Sequence, residues 1–219
     1  MIVLGYKSCP ADHDLCYKAA VDLDGDKYYS YILCYVDDIL VVHHDAMPIM
    51  KNINKFFLLK PDYVGDPNMY LGAKISYHKT PNGVWYWTIS PSKYVRGSCK
   101  NCKDHLSNIF DDKYKLPNQS PNRFFMVYEA ELDTSTIFDP EEASYFQSII
   151  GLMRWMIKIG RVDIATEVSM LSSFLAMPRV GHLEAAINIM GYLRLHQNSQ
   201  LFLDATYPVL DHYYFNGGA

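Results

Sequence analysis

Residues 31–44 read YILCYVDDILVVHH, two strand-forming apolar runs with Asp37 and Asp38 side by side between them. Consecutive side chains of a regular strand point to opposite faces, so the two acids cannot serve one site from the middle of a straight strand. They therefore belong to a turn, and a tight hairpin would hold both carboxylates at its tip against an apolar backing. Two carboxylates about 4 Å apart repel by roughly 4 kcal/mol at an effective dielectric near 20. A divalent cation relieves that repulsion, since carboxylate oxygens are hard ligands suited to Mg²⁺, and paired metal ions stabilise the attacking and leaving oxygens of phosphoryl transfer. Plain turn chemistry is the other reading, because a solvated aspartate is frequent in turns without any metal; the missing glycine counts slightly against it.

Around this element the chain is an ordinary globular one. Its 219 residues are 49% hydrophobic, enough for one large domain or two small ones. No apolar run reaches the roughly 18 uncharged residues of a membrane span, since Asp37 breaks one block and Arg154 and Lys158 break SIIGLMRWMIKIG. MIVLGYKSCPADHD has neither the basic flank nor the apolar length of a secretion signal. The five cysteines, Cys9, Cys16, Cys34, Cys99 and Cys102, are an odd number and read as free thiols. These features together predict a soluble intracellular chain with no membrane partner, without distinguishing cytoplasm from nucleus.

The net charge of −4 conceals an asymmetry: residues 1–73 carry 6 Lys and Arg against 10 Asp and Glu, residues 74–123 carry 9 against 3, and residues 124–219 carry 5 against 11. A basic middle segment can track a phosphate backbone through counterion release, or it can be a solvated lysine-rich face.

The hydrophobic pattern divides the chain. KYYSYILCYV and ILVV predict strands, MPIMKNINKFFLLK a short amphipathic helix, and MYLGAKISYHKT-PNG-VWYWTIS a hairpin around a Pro-Asn-Gly turn. From Ser90 the period becomes helical. Ser90 and Pro91 suit the N-cap and first turn, with Tyr94, Val95, Cys99, Cys102, Leu106, Ile109 and Phe110 on one face. Residues 111–138, with Pro117 and Pro121, read as irregular. Asp139-Pro140-Glu141-Glu142 then starts a helix running to Gly160, followed by helices near Asp163–Ala176 and Val180–His196. The expected fold is α+β, with a strand-rich segment 1–89, a helical segment 90–200 and a tail 201–219.

Several blocks in one order resemble the reverse transcriptase region of copia-type retrotransposon polyproteins. They are LGYKSCPADHDLCYK, the Tyr-x-Asp-Asp hairpin YILCYVDDILVV, MYLGAKI, ISPSKYV, and YFQSIIGLMRWMIKIGRVDIATEVSMLSSFLAMPRVGHLEAAINIMGYLRLHQNS. The resemblance covers roughly residues 3–208. It implies part of a polymerase palm, an antiparallel sheet with its catalytic hairpin, followed by a helical thumb and connection, and RNA-directed DNA synthesis with Mg²⁺, or Mn²⁺ in its place. Asp37 and Asp38 match the catalytic, metal-binding pair. Tyr35 and Val36 would lie near the primer end and incoming nucleotide, and Tyr70, Leu71 and Gly72 begin the strand region that grips the primer. The implied partners are a primer–template duplex and a deoxynucleoside triphosphate.

Polymerases of this class take a third carboxylate from an earlier palm strand and use fingers, neither of which has a counterpart here. The expectation is that this chain alone does not polymerise, that it derives from a truncated element, and that it self-associates or is complemented by another polymerase half. A nucleic-acid-binding remnant without catalysis is the alternative. Three further clusters read two ways. Cys99 and Cys102, with His105, are packing on an apolar helix face or half a zinc site. His43-His44 is a surface strand end or a ligand pair. Trp85 and Trp87 share a strand face for packing or for base stacking. Met153, Met156, Met170 and Met190 read as core fillers.

Overall fold

A computed structural model describes residues 2–109, 113–118 and 128–203. The fold is α+β, and the chain divides into two compact units, Met1–Leu71 and Gly72–Ala219. The division falls at 71/72 and not at the change of period near residue 89. Phe110, Pro121 and residues 204–219 of the expected tail lie outside the described residues.

The first unit is an antiparallel meander in the order β1 (Lys7–Ser8), β2 (Leu15–Val21), β3 (Lys27–Tyr35) and β4 (Asp38–Val42). Register decides its faces. Ile32 lies opposite Val41 and Cys34 opposite Ile39, so these four point one way, where they meet Cys16 and the apolar side of α1 (Met47–Ile53), namely Ile49, Met50 and Ile53. Tyr6 crosses this small core to put its hydroxyl 2.7 Å from Ser30 Oγ. The opposite face is left with Tyr29, Tyr31 and Tyr35, each more than a third exposed. α1 is shorter than its amphipathic pattern suggests: it stops at Ile53, and Phe56, Phe57 and Leu58 beyond it are exposed. A two-residue strand, β5 (Met69–Tyr70), is the last element of this unit.

The second unit opens with the predicted hairpin, β6 (Ala73–Lys79) and β7 (Trp85–Ser90), closed by mutual bonds between Thr80 and Val84 and by Gly83 at φ 88°. A further strand, β8 (Leu201–Leu203), pairs antiparallel with β7, so the first three residues of the expected tail are sheet. The helices α2 (Ser92–Ile109), α3 (Pro140–Lys158), α4 (Ala165–Ser172) and α5 (Val180–Leu195) share one core. Val95, Cys99, Cys102 and Leu106 of α2 enter it as the spacing requires, against Phe146, Ile149, Ile150 and Met153 of α3 and Leu183, Ala186 and Met190 of α5. Met156 is buried with them, whereas Met170 is 46% exposed and fills no core. α3 begins where its sequence places it: the Asp139 carboxylate accepts from the backbone N–H of Glu141 and of Glu142, both at 2.9 Å, with Pro140 at the first position.

Two polar anchors tie the helices together. Arg161, 1% exposed, donates to both carboxylate oxygens of Asp163 (2.8 and 2.6 Å) and to the His196 carbonyl (3.2 Å), while Tyr192 donates to Asp163 at 3.0 Å. His182, also buried, accepts from the Arg179 N–H through Nδ1 (3.1 Å), so Nε2 carries the proton and donates to the Ala130 carbonyl (3.0 Å). Its ring stacks on Phe174 at 4.3 Å.

Candidate functional site

The β3–β4 connection is a two-residue turn, Val36-Asp37, flanked by the pair Tyr35 and Asp38. The two acids therefore do not both occupy the tip as expected. Asp37 is the second turn residue, and Asp38 is the first residue of β4. Being directly opposite Tyr35, Asp38 shares the face of Tyr35, Tyr31 and Tyr29, away from α1. Both carboxylates are exposed.

A turn this short matches the twist of the strands only with left-handed backbone at its first centre, a position normally filled by glycine. Here it is Val36 at φ 51°, a β-branched residue that is 90% exposed. Left-handed backbone costs an L-residue roughly 1–2 kcal/mol, and Val36 buries almost nothing to offset it. Among the described residues only one other non-glycine shares this conformation: Leu71, also at φ 51°, followed by Gly72 at φ 83°. Both outliers fall on residues that the sequence singles out. Backbone strain of this kind concentrates at functional sites, which licenses a hypothesis of function at each.

Tyr70 is electrostatically linked to the turn. Burial, then the negative charge of Asp38, with smaller contributions from Cys34, Asp14 and Asp12, pushes its phenol up to about 12. Asp12 and Asp14 lie in the turn before β2, where the Asp14 carbonyl accepts from the Cys34 N–H at 2.8 Å. The sheet end that carries Asp37 and Asp38 thus holds four acids. Only the alternation of β2 and β3 about their hairpin could have revealed this, because Asp12 and Asp14 are more than 20 residues from the pair. Among the described residues, no three His, Cys, Asp or Glu side chains are grouped to hold a metal ion. The donor set of Asp37 and Asp38 still suits Mg²⁺, which is commonly held by one or two carboxylates with phosphate oxygens and water completing its shell.

The basic segment resolves into a stripe. Lys93, Arg96, Lys100 and Lys103 recur at i, i+3, i+7 and i+10 on α2, all exposed and clear of the buried Val95–Leu106 face. They span about 15 Å at 1.5 Å per residue. Among the described residues the one ion pair is Arg161–Asp163, and the one acid of α2 is the exposed Asp104, a turn after Lys100. The spacing is visible in the sequence, in the same helix whose apolar face is legible there; the charge count alone hides it.

The remaining clusters resolve one by one. Cys99 and Cys102 are buried, their thiols at 3.6 Å from the Met190 carbonyl and 3.5 Å from the Tyr145 hydroxyl, and His105 lies flat on Tyr145 at 3.9 Å. Burial pushes the Cys99 thiol up to about 11, with the neighbouring Cys102 adding to the shift. This is packing, not a ligand set. His43 and His44 stack on each other at the end of β4, with His44 Nδ1 2.5 Å from the Tyr28 hydroxyl. Trp85 and Trp87 share a face with Tyr77, and that face is partly open.

No protein-family model and no solved structure matches the chain. Three curated proteins are similar to it. The transposon Ty5-1 protein of Saccharomyces cerevisiae is 31% identical over 166 residues, covering 74% of this chain and 48% of that protein. The retrovirus-related Pol polyprotein from transposon TNT 1-94 of Nicotiana tabacum is 27% identical over 187 residues, 83% of this chain and 13% of the polyprotein. The corresponding polyprotein from transposon RE1 of Arabidopsis thaliana is 26% identical over 184 residues, 83% of this chain and 11% of its own length. The chain thus spans about half the yeast protein and a small part of each plant polyprotein. These similarities support a retrotransposon Pol origin, that is, a retroelement-derived segment.

Proposed function

We propose that this chain is the palm-hairpin and thumb portion of an RNA-directed DNA polymerase of copia type, with Asp37 and Asp38 as the metal-binding pair. The observation that carries the reading is the two-residue turn in which exposed, strained Val36 sets Asp37 at the tip and Asp38 on the outward strand face. That face also carries Tyr35, and Tyr70 lies within the field of Asp38. Mg²⁺, or Mn²⁺ in its place, would be held by the two carboxylates and would supply charge stabilisation for phosphoryl transfer to a primer end. The α2 stripe suits the phosphates of a primer–template duplex, each neutralised phosphate adding affinity by counterion release. Tyr35, Val36, Tyr70, Leu71 and Gly72 are proposed to border the primer end and the incoming deoxynucleoside triphosphate.

Polymerisation by the 219-residue chain alone is expected to be absent, because no third metal-ligating side chain joins Asp37 and Asp38 among the described residues. The same observation favours a second reading, duplex binding through α2 without catalysis.

Calorimetric titration with Mg²⁺ and with Mn²⁺, in the absence and presence of primer–template duplex, separates the two. The polymerase reading expects heat that disappears in both Asp37→Asn and Asp38→Asn and affinity that rises with duplex. Duplex binding with a steep salt dependence but no metal heat in either series would leave only the second reading. On either reading Lys100→Ala should lower the slope of log K against log salt by about 0.9, one phosphate contact on duplex DNA.

A further inference from the structure

The outer end of the β6–β7 hairpin carries an open aromatic pile. Tyr77 stacks on Trp85 at 4.7 Å and 16° and on Trp87 at 4.5 Å and 28°, so three rings share one sheet face, and the Lys79 ammonium lies 5.3 Å from the Trp85 ring centroid. Cross-strand aromatic pairs also stabilise a hairpin by themselves. Here Trp85 is 47% and Tyr77 49% exposed, while the burial on this face is done at the inner end by Ala73 and Ile75. Along the chain the charge on either side of the hairpin is one-sided: between Asp66 and Asp104 the sequence has no aspartate or glutamate and six Lys or Arg. Half-exposed rings beside the Lys79 ammonium complement a ligand with flat rings and a polyanionic backbone.

We propose that this pile is a stacking site for unpaired bases of single-stranded nucleic acid, with Tyr77, Trp85 and Trp87 as the platform and Lys79 pairing a phosphate. Lys79 beside the rings favours an anionic ligand, and a duplex hides its base faces within its own stack. Base–aromatic stacking tolerates any sequence because every base has a π-face, so the site selects strandedness rather than sequence. The inference rests on the proposed function for its class of partner and for β6, which continues the strand region begun at Tyr70, Leu71 and Gly72; it uses neither Asp37 nor Asp38 nor a metal.

The test is a fluorescence titration of the full chain with (dT)12 and with a hairpin duplex of equal phosphate number, in EDTA so that the aspartate pair plays no part. The expected result is quenching of tryptophan emission by the single strand. Trp85→Ala should weaken single-strand binding about 5- to 150-fold with little change for duplex. Trp85→Phe should keep most of the affinity, and Lys79→Ala should lower the single-strand salt slope by about 0.7. Equal losses on single strand and duplex, or no quenching by (dT)12, would overturn the proposal. So would sedimentation showing a dimer with Trp85 shielded, which would make the face an interface between copies. If Trp85→Ala does not fold, an unchanged salt slope in Lys79→Ala together with absent quenching in the wild-type chain overturns it equally.

Discussion

Replacing Val36 by glycine tests whether the turn is strained for the sake of its acids. Val36 sits at φ 51° and is 90% exposed, so the substitution forfeits almost no buried area. Removing the Cβ relieves roughly 1–2 kcal/mol of left-handed backbone cost, and the greater freedom of glycine in the unfolded chain takes back about 0.5–1. The net expectation is a hairpin more stable by about 0.5–1 kcal/mol, a slowing of local amide exchange of about 2- to 5-fold. All three tryptophans, Trp85, Trp87 and Trp155, lie in the second unit, so global fluorescence would miss the effect. Native-state hydrogen exchange at the β3–β4 ladder, in particular at the pair Leu33 and Leu40, reads it directly, since the Cys34 N–H is turned to β2 and alternation turns that of Leu33 to β4. Faster or unchanged exchange at those amides would sink the idea, since Val36 would then stabilise the turn by some contact or its backbone would be unstrained.

Three other outcomes follow from the second unit. Burial alone would raise the Asp163 carboxyl, but the hydrogen bonds and charge of Arg161 and the Tyr192 hydroxyl outweigh it and hold the pKa below the usual carboxylate range. A depressed folded pKa stabilises above the unfolded value near 3.9 and is lost as pH falls through the folded one, so thermal stability should drop below about pH 4. Asp163→Asn should flatten that drop and cost, toward the low end, about 3–5 kcal/mol at neutral pH, because Arg161 stays buried without its counter-charge. In Gly191→Ala the new methyl would lie 2.8 Å from Cδ of the Pro117 ring, while helix propensity gains only about 1 kcal/mol. The expected result is an intact α5 by circular dichroism with residues 113–118 displaced and cleaved faster at Lys113 or Lys115 in limited proteolysis. Cys99, buried and pushed up to about 11, should resist alkylation at pH 8 until the unit unfolds, whereas the partly exposed Cys9 reacts at once.

What can be read from the sequence is what local chemistry decides. Asp139-Pro140-Glu141-Glu142 fixes a helix start within four residues, and α3 begins there. Ser90 has the chemistry of a cap, yet it stays in β7 opposite Lys74; the Pro91 carbonyl instead accepts from the Val95 N–H, because ladder pairing outweighs a local capping option. β8 is invisible for a related reason: three residues carry no period, and the partner that makes Leu201–Leu203 a strand lies more than 110 residues earlier. At the candidate site, the hairpin and its acids follow from pattern, but the assignment of Asp38 to the strand and the left-handed Val36 do not. A turn without glycine gives no compositional warning of positive φ. The long block containing Arg161, Asp163, Phe174, His182 and Tyr192 carries the most specific resemblance, and in the structure these residues hold the helices of the second unit together.

The two charge patterns constrain the choice of partner whatever the arrangement of the units. The first unit gathers Asp12, Asp14, Asp37 and Asp38 at one end of its sheet, a field that repels phosphate. The second presents Lys93, Arg96, Lys100 and Lys103 along α2, a field that attracts it. An acidic protein partner would satisfy the second and be rejected by the first, and a basic one the reverse. A polyanion that travels with divalent cations complements both, meeting the helix directly and the aspartates through metal. Nucleic acid is such a ligand, and this is why the polymerase reading accounts for both surfaces with one partner. It also sets the order of experiments: duplex binding that persists with metal removed but tightens with metal, through Asp37 and Asp38 alone, is the behaviour that neither charge pattern produces by itself.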